Sequence, residues 1–235
     1  GMSLVPVGVA SPSREATVAR LRAQVAAMEA RGQSAVYPVP SPLAPLLTGG
    51  GLKPGAAYCL ESPQLVGSLL AAPSQDGLWC ALVGLPDFGV EAASQAGVKL
   101  ERVVLVPQPE AQWLSVVAAL SAALPVVVVR PSTPVRQGEA ARLATRLRDS
   151  ETVLLVVGEW PGAEATISLT GPQWLGVGDG WGCLTKCEAN LMVHSKRYPA
   201  GRSVRVVLPG SEGILEPAAG WGQGTPERTV LRMVA

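Results

Sequence analysis

Residues 49–72 form a stretch whose order of residue types is typical of phosphate chemistry. A glycine turn at 49–51 precedes an apolar run at 56–60, and a second turn then leads into a helical pattern that continues to Ala72. A phosphate loop at this place has the pattern Gly, four residues, Gly, Lys and then Ser or Thr, because backbone N–H groups and the lysine hold the phosphates together. The order of elements is that of such a loop.

The residues at the chemical positions of that loop depart from the pattern. The first glycine is replaced by Glu61, the second by Val66 and the lysine by Gly67, while Ser68 keeps the hydroxyl position. A carboxylate repels phosphate, and the neutralising cation is absent. We therefore predict that this loop keeps its structural role and no longer binds a nucleotide. The Ser68 hydroxyl is still at the position that would contact a metal ion. A serine at the start of a helix is common, however, and does not require metal binding.

Composition excludes several classes of protein. The chain has 235 residues, 48% of them hydrophobic, which is enough for a large buried core. A net charge of +1 gives no global basic field, so any DNA contact must come from a local patch. No apolar run approaches the ~20 residues of a membrane span, and residues 4–10 lack the basic start of a signal peptide. We expect a cytoplasmic protein without membrane contact.

The cysteines are too few and too scattered for a disulfide framework. Cys59 and Cys80 fall in predicted core strands, where a thiol packs as a small apolar group. A zinc site built from Cys183, Cys187 and His194 is the alternative, but these spacings match zinc ligands poorly. We expect free thiols and no metal.

Strand and helix patterns alternate through the middle of the chain, which predicts right-handed crossovers and a mostly parallel sheet of the α/β class. The predicted strands are Ala56–Leu60, Leu78–Gly84, Arg102–Val106, Pro125–Val129 and Val153–Gly158. The predicted helices run through Ala72 and over Phe88–Ala96, Pro109–Ala123 and Thr133–Arg148.

After Trp160 the pattern changes to short strands without helices, which predicts antiparallel hairpins that extend the sheet. These strands are Ala165–Thr170, Trp174–Gly176, Ala189–His194 and Ser203–Leu208. Residues 209–228 are rich in Gly, Pro and Glu and predict a loose tail. We divide the chain into an N-terminal helix and linker (2–37), a core (38–208) and a C-terminal tail (209–235).

Four segments in the same order resemble RecA recombinases, and the resemblance covers residues 49–208. They are the glycine turn 49–55, the strand and turn 81–87, the link 96–103 and the valine strand 126–130. The resemblance implies a RecA-like fold. It also identifies two further lost positions, because Pro86 stands at the catalytic glutamate, with Asp87 one residue on, and Arg130 stands at the magnesium-linked aspartate. We expect a pseudo-ATPase that is not an enzyme and has no cofactor.

A RecA-like chain with these losses is most similar to the actinobacterial ImuA-type proteins of the SOS mutasome. That resemblance implies an accessory role in translesion DNA synthesis and damage-induced mutagenesis. The implied partner is an ImuB-like inactive Y-family polymerase homologue and, through it, the error-prone C-family polymerase and the sliding clamp. Self-association or contact with RecA is a further option, and contact with DNA stays open.

Two readings compete with this one. The first is a divergent nucleotide-binding RecA-family ATPase, which a nucleotide titration separates from a pseudo-ATPase. The second is another SOS interaction protein on the same fold, such as a relative of the cell-division inhibitor of that response. The neighbouring genes distinguish that protein from a mutasome component.

Three surfaces are candidates for partner contact. The helix Ser13–Arg31 carries an apolar stripe that packs either on a partner or on its own domain. The helix Thr133–Arg148 carries clustered arginines, which form either a patch for phosphates or an ordinary solvated face. The tail carries an isolated tryptophan and a terminal apolar group. The apolar stripe consists of Val18, Leu21, Val25 and Met28. The arginine cluster consists of Arg136, Arg142, Arg146 and Arg148. The tail residues are Trp221, Val230, Leu231, Met233 and Val234.

Four tryptophans stand among glycines in the second half of the chain. They are Trp160, Trp174, Trp181 and Trp221. Each is either a lid on the core or a binding anchor, since tryptophan is frequent among the residues that dominate interface energies.

Overall fold

Four short strands that are buried along their whole length form the centre of one nine-stranded sheet. The computed structural model describes residues 35–175, 186–209 and 215–218. The strands are β1 (Ala57–Leu60), β2 (Cys80–Val83), β3 (Val103–Val106), β4 (Val126–Val129), β5 (Val153–Val157), β6 (Ala165–Leu175), β7 (Lys186–Ser195), β8 (Arg202–Leu208) and β9 (Glu216–Pro217). Their order across the sheet is β3-β2-β4-β5-β1-β6-β7-β8-β9.

The strands from β3 to β6 are parallel, and those from β6 to β9 are antiparallel. The helices are α1 (Leu65–Gln75), α2 (Val90–Gln95), α3 (Trp113–Leu120) and α4 (Gln137–Ser150). This architecture confirms the predicted fold class, a RecA-like α/β sheet that is mostly parallel and continues into antiparallel strands. In the described part of the chain no helix has the length and apolar character needed to cross a lipid bilayer.

Alternate side chains of the parallel strands build two cores, one on each face of the sheet. Leu82 and Leu155 point to the face that α1 and α2 cover, together with Leu69 of α1. Ala81 and Leu154 point to the opposite face, where α3 and α4 pack through residues such as Trp113 and Leu143. Apolar runs without alternation are expected for strands buried on both sides, which explains why the sequence pattern located them correctly.

The β6 strand differs from the prediction of two separate strands. It runs without a break from Ala165 to Leu175, and its register against β7 shifts between Thr170 and Gln173. Gly171 has a φ of +59° at this bulge, and Pro172 has no N–H to donate. These residues interrupt the apolar pattern, but pairing resumes after them, so the prediction of separate strands at Ala165–Thr170 and Trp174–Gly176 is wrong.

Residues 215–218 lie in the segment predicted as a loose tail, and they add the ninth strand to the sheet. Pro217 pairs with Val206 and Glu216 with Val207. Leu215 and Ala218 are buried beside them. This part of the segment is therefore ordered against β8, because a buried leucine and two ladder positions hold it there.

The helices begin and end at somewhat different residues from those predicted. The helix expected over Thr133–Arg148 is α4 over Gln137–Ser150, because Pro134 disfavours helical backbone at Thr133. Its first turn is closed by the Glu139 side chain, which accepts the Arg136 N–H at 3.0 Å. The helix expected over Pro109–Ala123 is a 3₁₀ turn at Glu110–Gln112 followed by α3. The first helix continues through Pro73 to Gln75 instead of ending at Ala72.

Candidate functional site

A cavity of about 860 Å³ opens at the edge of the sheet where the parallel strands end. The segments that follow β1, β2 and β4 supply one side, α1 and α2 supply the floor, and β6, β7 and β8 supply the other side. In open α/β sheets the carboxyl ends of the strands form the usual ligand-binding edge. The cavity therefore lies where a nucleotide would be expected, and its lining decides what it accepts.

The loop from Glu61 to Gln64 is closed by its own hydrogen bonds. Glu61 N–H donates to the Ile167 carbonyl at 3.1 Å, Leu65 N–H to Ser62 at 3.0 Å and Val66 N–H to Pro63 at 3.1 Å. The Ser62 hydroxyl oxygen accepts Leu169 N–H at 3.0 Å. A phosphate loop instead directs consecutive N–H groups at its ligand. Here the Glu61, Leu65 and Val66 N–H groups are used inside the protein, and Pro63 has none to offer.

The first turn of α1 presents a small, uncharged surface to the cavity. Val66 and Ser68 are buried, while Gly67 is partly exposed and lies in the cavity wall. A Cβ added at Gly67 would lie 3.8 Å from Ala93 Cα and 4.0 Å from Ala96 Cβ, which is ordinary contact with α2. Crowding therefore does not require a glycine at this position. With Gly67 in place, the position that a lysine holds in a phosphate loop carries no charge.

Asp87 and Arg130 form an ion pair across the mouths of two neighbouring strands. Arg130 follows β4, Asp87 follows β2 with Pro86 just before it, and the Arg130 Nη1 lies 2.8 Å from the Asp87 Oδ1. The guanidinium lowers the pKa of the Asp87 carboxyl from its ordinary value, chiefly through this hydrogen bond. The one carboxylate near the predicted catalytic position is thus already paired with a cation.

Gly84 allows the backbone that follows β2 to lie close to the backbone that follows β4. It has a φ of +75°, and a Cβ there would lie 2.5 Å from the Arg130 carbonyl oxygen. Its N–H donates to Val106 at 2.9 Å, and Arg130 N–H donates to Val83 at 2.9 Å. Sequence reasoning missed this role, although a glycine directly after a buried strand was a usable signal for a close backbone approach.

The rest of the lining is mainly apolar. Among the described residues that line the cavity, Asp87 and Arg130 are the charged ones, and they neutralise each other. Apolar contributors come from the α2 segment and from the antiparallel strands: Phe88, Ala92, Ala96, Leu169, Trp174 and Leu208. This wall was not predicted, because its two halves are about a hundred residues apart in the sequence.

The tryptophans divide between the two roles left open by the sequence. Trp160 is buried in the core on the face of the sheet that α3 and α4 cover. Trp174 lines the cavity with 59% of its surface exposed, so it is not a lid on the core. Trp181 lies outside the described residues, as do Trp221, the terminal Val230, Leu231, Met233 and Val234, and the N-terminal stripe of Val18, Leu21, Val25 and Met28.

The four arginines predicted as a patch do not share one face of α4. Arg136 precedes the helix, Arg142 and Arg146 are exposed one turn apart, and Arg148 lies about 160° around the axis from Arg146 at 100° per residue. Arg146 Nη1 donates to the Ala118 carbonyl at 3.2 Å, and Arg148 Nη2 donates to the Thr145 hydroxyl at 3.1 Å. The helix therefore offers a pair of adjacent cations, Arg142 and Arg146, instead of a patch of four.

The thiols are placed as core groups. Burial raises the pKa of Cys80 to about 12 and also raises that of Cys59. Cys187 is buried on β7, and His194 lies seven residues further along the same strand, so their side chains point to opposite faces. These two residues cannot converge on one zinc ion, and Cys183 lies outside the described residues.

The family model that matches this chain covers the parallel half of the sheet. Residues 45–162 match the family model described as the MT3502 N-terminal domain. The chain is also similar to the uncharacterized protein Rv3395c of Mycobacterium tuberculosis (strain ATCC 25618 / H37Rv), with 30% identity over 120 residues. That alignment covers 50% of this chain and 59% of the relative, so it spans less than two thirds of that protein. The matched range includes Glu61–Ser68, Asp87 and Arg130, and the chain belongs to the MT3502 N-terminal domain family.

Proposed function

We propose that this protein is a non-catalytic, RecA-like accessory protein of the SOS mutasome, acting in the cytoplasm through protein–protein contacts. Its role is to support translesion DNA synthesis and damage-induced mutagenesis. The direct partner is an ImuB-like inactive Y-family polymerase homologue, which links it to the error-prone C-family polymerase and the sliding clamp. The proposal joins the resemblance of the sequence to ImuA-type proteins with the chemistry of the cavity.

The Asp87–Arg130 ion pair is the observation that carries the non-catalytic part of the proposal. Phosphoryl transfer needs cations against the phosphates and carboxylates that hold magnesium. The pair puts a cation at the magnesium-linked position and engages the nearby carboxylate, with a nitrogen–oxygen distance of 2.8 Å. In the loop at 61–66 the Glu61, Leu65 and Val66 N–H groups donate within the protein, and Pro63 has no N–H. Neither arrangement supports nucleotide hydrolysis.

The apolar lining supports protein binding at the same edge of the sheet. A concave apolar surface with an exposed tryptophan at its rim resembles the desolvated pockets that dominate interface energies. We propose an apolar segment of the ImuB-like partner as the occupant, with Trp174 packing against it. The N-terminal stripe and the C-terminal group of Trp221, Val230, Leu231 and Met233 stay proposed as additional contacts, for the partner or for self-association.

Two exposed tryptophans allow a matched test of this proposal. Trp174 lies in the cavity rim, while Trp79 precedes β2 at the other end of the strands and packs against the Arg102 guanidinium at 5.4 Å. We expect Trp174→Glu to abolish co-purification with a co-expressed ImuB-like partner, because a buried unpaired charge is costly. Trp79→Glu should leave it unchanged. Full binding by Trp174→Glu would exclude the cavity as the docking site.

A further inference from the structure

The turn between β7 and β8 concentrates positive charge. Residues 194–205 contain Lys196, Arg197, Arg202 and Arg205 and no Asp or Glu, in a chain whose net charge is only +1. Arg205 is neutralised by Glu188, with Nε 3.0 Å from the carboxylate. In the described part of the chain, Lys196, Arg197 and Arg202 make no ion pair with a carboxylate. Lys196 and Arg197 are exposed on the turn, and Arg202, the first residue of β8, is partly exposed beside them.

The two free arginines of this turn are held on one aromatic ring. The Arg197 and Arg202 guanidinium carbons lie 5.6 and 5.0 Å from the centre of the Tyr198 ring. Both distances are within the range of cation–π attraction. A guanidinium that rests on a ring loses little further freedom when its N–H edge meets an anion, because its plane is already oriented.

Backbone hydrogen bonds hold the turn that carries Tyr198. Tyr198 N–H donates to the Ser195 carbonyl at 3.1 Å and Ser195 N–H to the Tyr198 carbonyl at 3.3 Å. Gly201 N–H also donates to the Tyr198 carbonyl, at 3.0 Å. Gly201 has a φ of +80°, and a Cβ there would lie 2.7 Å from His194 Nε2. The backbone hydrogen bonds and the neighbouring His194 ring thus define one conformation of the turn.

We propose that this turn binds the phosphate backbone of a nucleic acid. Arginine pairs with phosphate through two parallel N–H groups, and a cluster of unpaired cations around an aromatic ring is a frequent arrangement in proteins that follow a nucleic-acid strand. Binding through so few cations is sequence-independent and salt-sensitive. The inference goes beyond the proposed function, which requires no DNA contact by this chain.

The position of the turn leaves the cavity accessible while nucleic acid is bound. Ser195 pairs with Ala165, and Ala165 pairs with Tyr58 near the beginning of β1. The turn therefore lies at the amino ends of the parallel strands, and the cavity lies at their carboxyl ends. One molecule can hold a partner segment at one end of the sheet and a nucleic-acid strand at the other.

Fluorescence anisotropy with a labelled oligonucleotide tests the proposal. The purified full chain is titrated into the single strand and into the matching duplex over a range of salt concentrations. For the single strand, Arg197→Ala with Arg202→Ala should lower affinity about tenfold at low salt and lower the salt slope by about 1.4, since each lost phosphate contact contributes about 0.7. Arg197→Lys with Arg202→Lys keeps the charge and should give an intermediate loss, because the oriented planar groups are gone.

A charge-matched control is available on α4. Arg142→Ala with Arg146→Ala removes the same two charges from exposed positions, and we expect it to change affinity less than about twofold. Thermal melting confirms that each variant is folded. Turn-dependent binding of either nucleic-acid form supports the proposal, and the tighter one identifies the form recognised. No binding by the native chain at low salt, or an equal or larger loss in the α4 variant, would overturn it.

Discussion

The Arg130 guanidinium lies 2.8 Å from the Asp87 carboxylate, so the ends of β4 and β2 are joined by an ion pair at the cavity. A strand end with a lone carboxylate attracts a cation such as magnesium, whereas a paired one presents no net charge. The pair therefore leaves this edge of the sheet without an unpaired carboxylate at Asp87.

The ion pair should make a small, pH-dependent contribution to stability. Because Arg130 lowers the folded-state pKa of Asp87, the contribution is present above the ordinary value of 3.8 and is lost as pH falls through the lowered pKa. Asp87→Asn removes it at every pH. The difference in unfolding free energy between the native chain and this variant should be seen at neutral pH, shrink in acid and shrink with added salt. A difference that is constant between neutral and acid pH would contradict the assignment.

Two truncations should separate folding from partner binding in the C-terminal segment. Ending the chain at Ala218 keeps β9 and should change the unfolding free energy by about 0.5 kcal/mol or less, as for a surface change. Ending it at Pro209 also removes Leu215, which is 2% exposed, and should cost about 2–5 kcal/mol, as for loss of a buried leucine. Urea unfolding measures both.

The Ala218 truncation also removes Trp221, Val230, Leu231 and Met233. If these residues contact the partner, that truncation should weaken co-purification while the fold persists. Unchanged co-purification would remove the C-terminal group from the proposed contacts and leave the cavity and the N-terminal stripe.

The buried hydroxyl of Ser121, the residue that follows α3, gives a prediction about the core. The Ser121 Oγ is buried and has no hydrogen-bond partner among the described residues, so Ser121→Ala should raise the unfolding free energy by about 1 kcal/mol. The Thr152 hydroxyl instead lies 2.6 Å from the Ser121 carbonyl and 2.9 Å from that of Leu124. Thr152→Val should therefore lower the unfolding free energy by about 1–3 kcal/mol. Chemical denaturation checks both, and a loss of stability in Ser121→Ala would show that the hydroxyl has a partner.

The parallel strands could be predicted because their apolar runs are local signals that burial on both faces requires. Gly97 has a φ of +89° just beyond α2, the left-handed conformation that glycine commonly adopts at the end of a helix. The ion pair could not be predicted, because Asp87 and Arg130 are 43 residues apart and meet only when β2 and β4 pair. Helical periodicity, by contrast, would have shown that Arg148 lies away from Arg142 and Arg146.

Nucleotide binding should be absent in the native chain. Millimolar ATP with magnesium should leave the melting temperature unchanged, since a ligand raises it only when it binds the folded state. Gly67→Lys restores the lysine of the phosphate-loop pattern at a position where the first added carbon has room. This variant should still show no response to ATP, because the Glu61, Leu65 and Val66 N–H groups stay engaged and the Asp87–Arg130 pair is unchanged.

Co-purification of Gly67→Lys with the ImuB-like partner tests most directly whether the cavity is a docking site. Glycine is about 1 kcal/mol less favourable than alanine in a helix, so lysine at this position of α1 should not destabilise the fold. Its ammonium group would enter the apolar cavity and exclude an apolar segment. Gly138→Lys is the matched control, because Gly138 lies in α4 with open space around it. We predict that Gly67→Lys loses the partner and Gly138→Lys keeps it; full partner binding by Gly67→Lys, or a melting temperature that rises with ATP, would contradict the account.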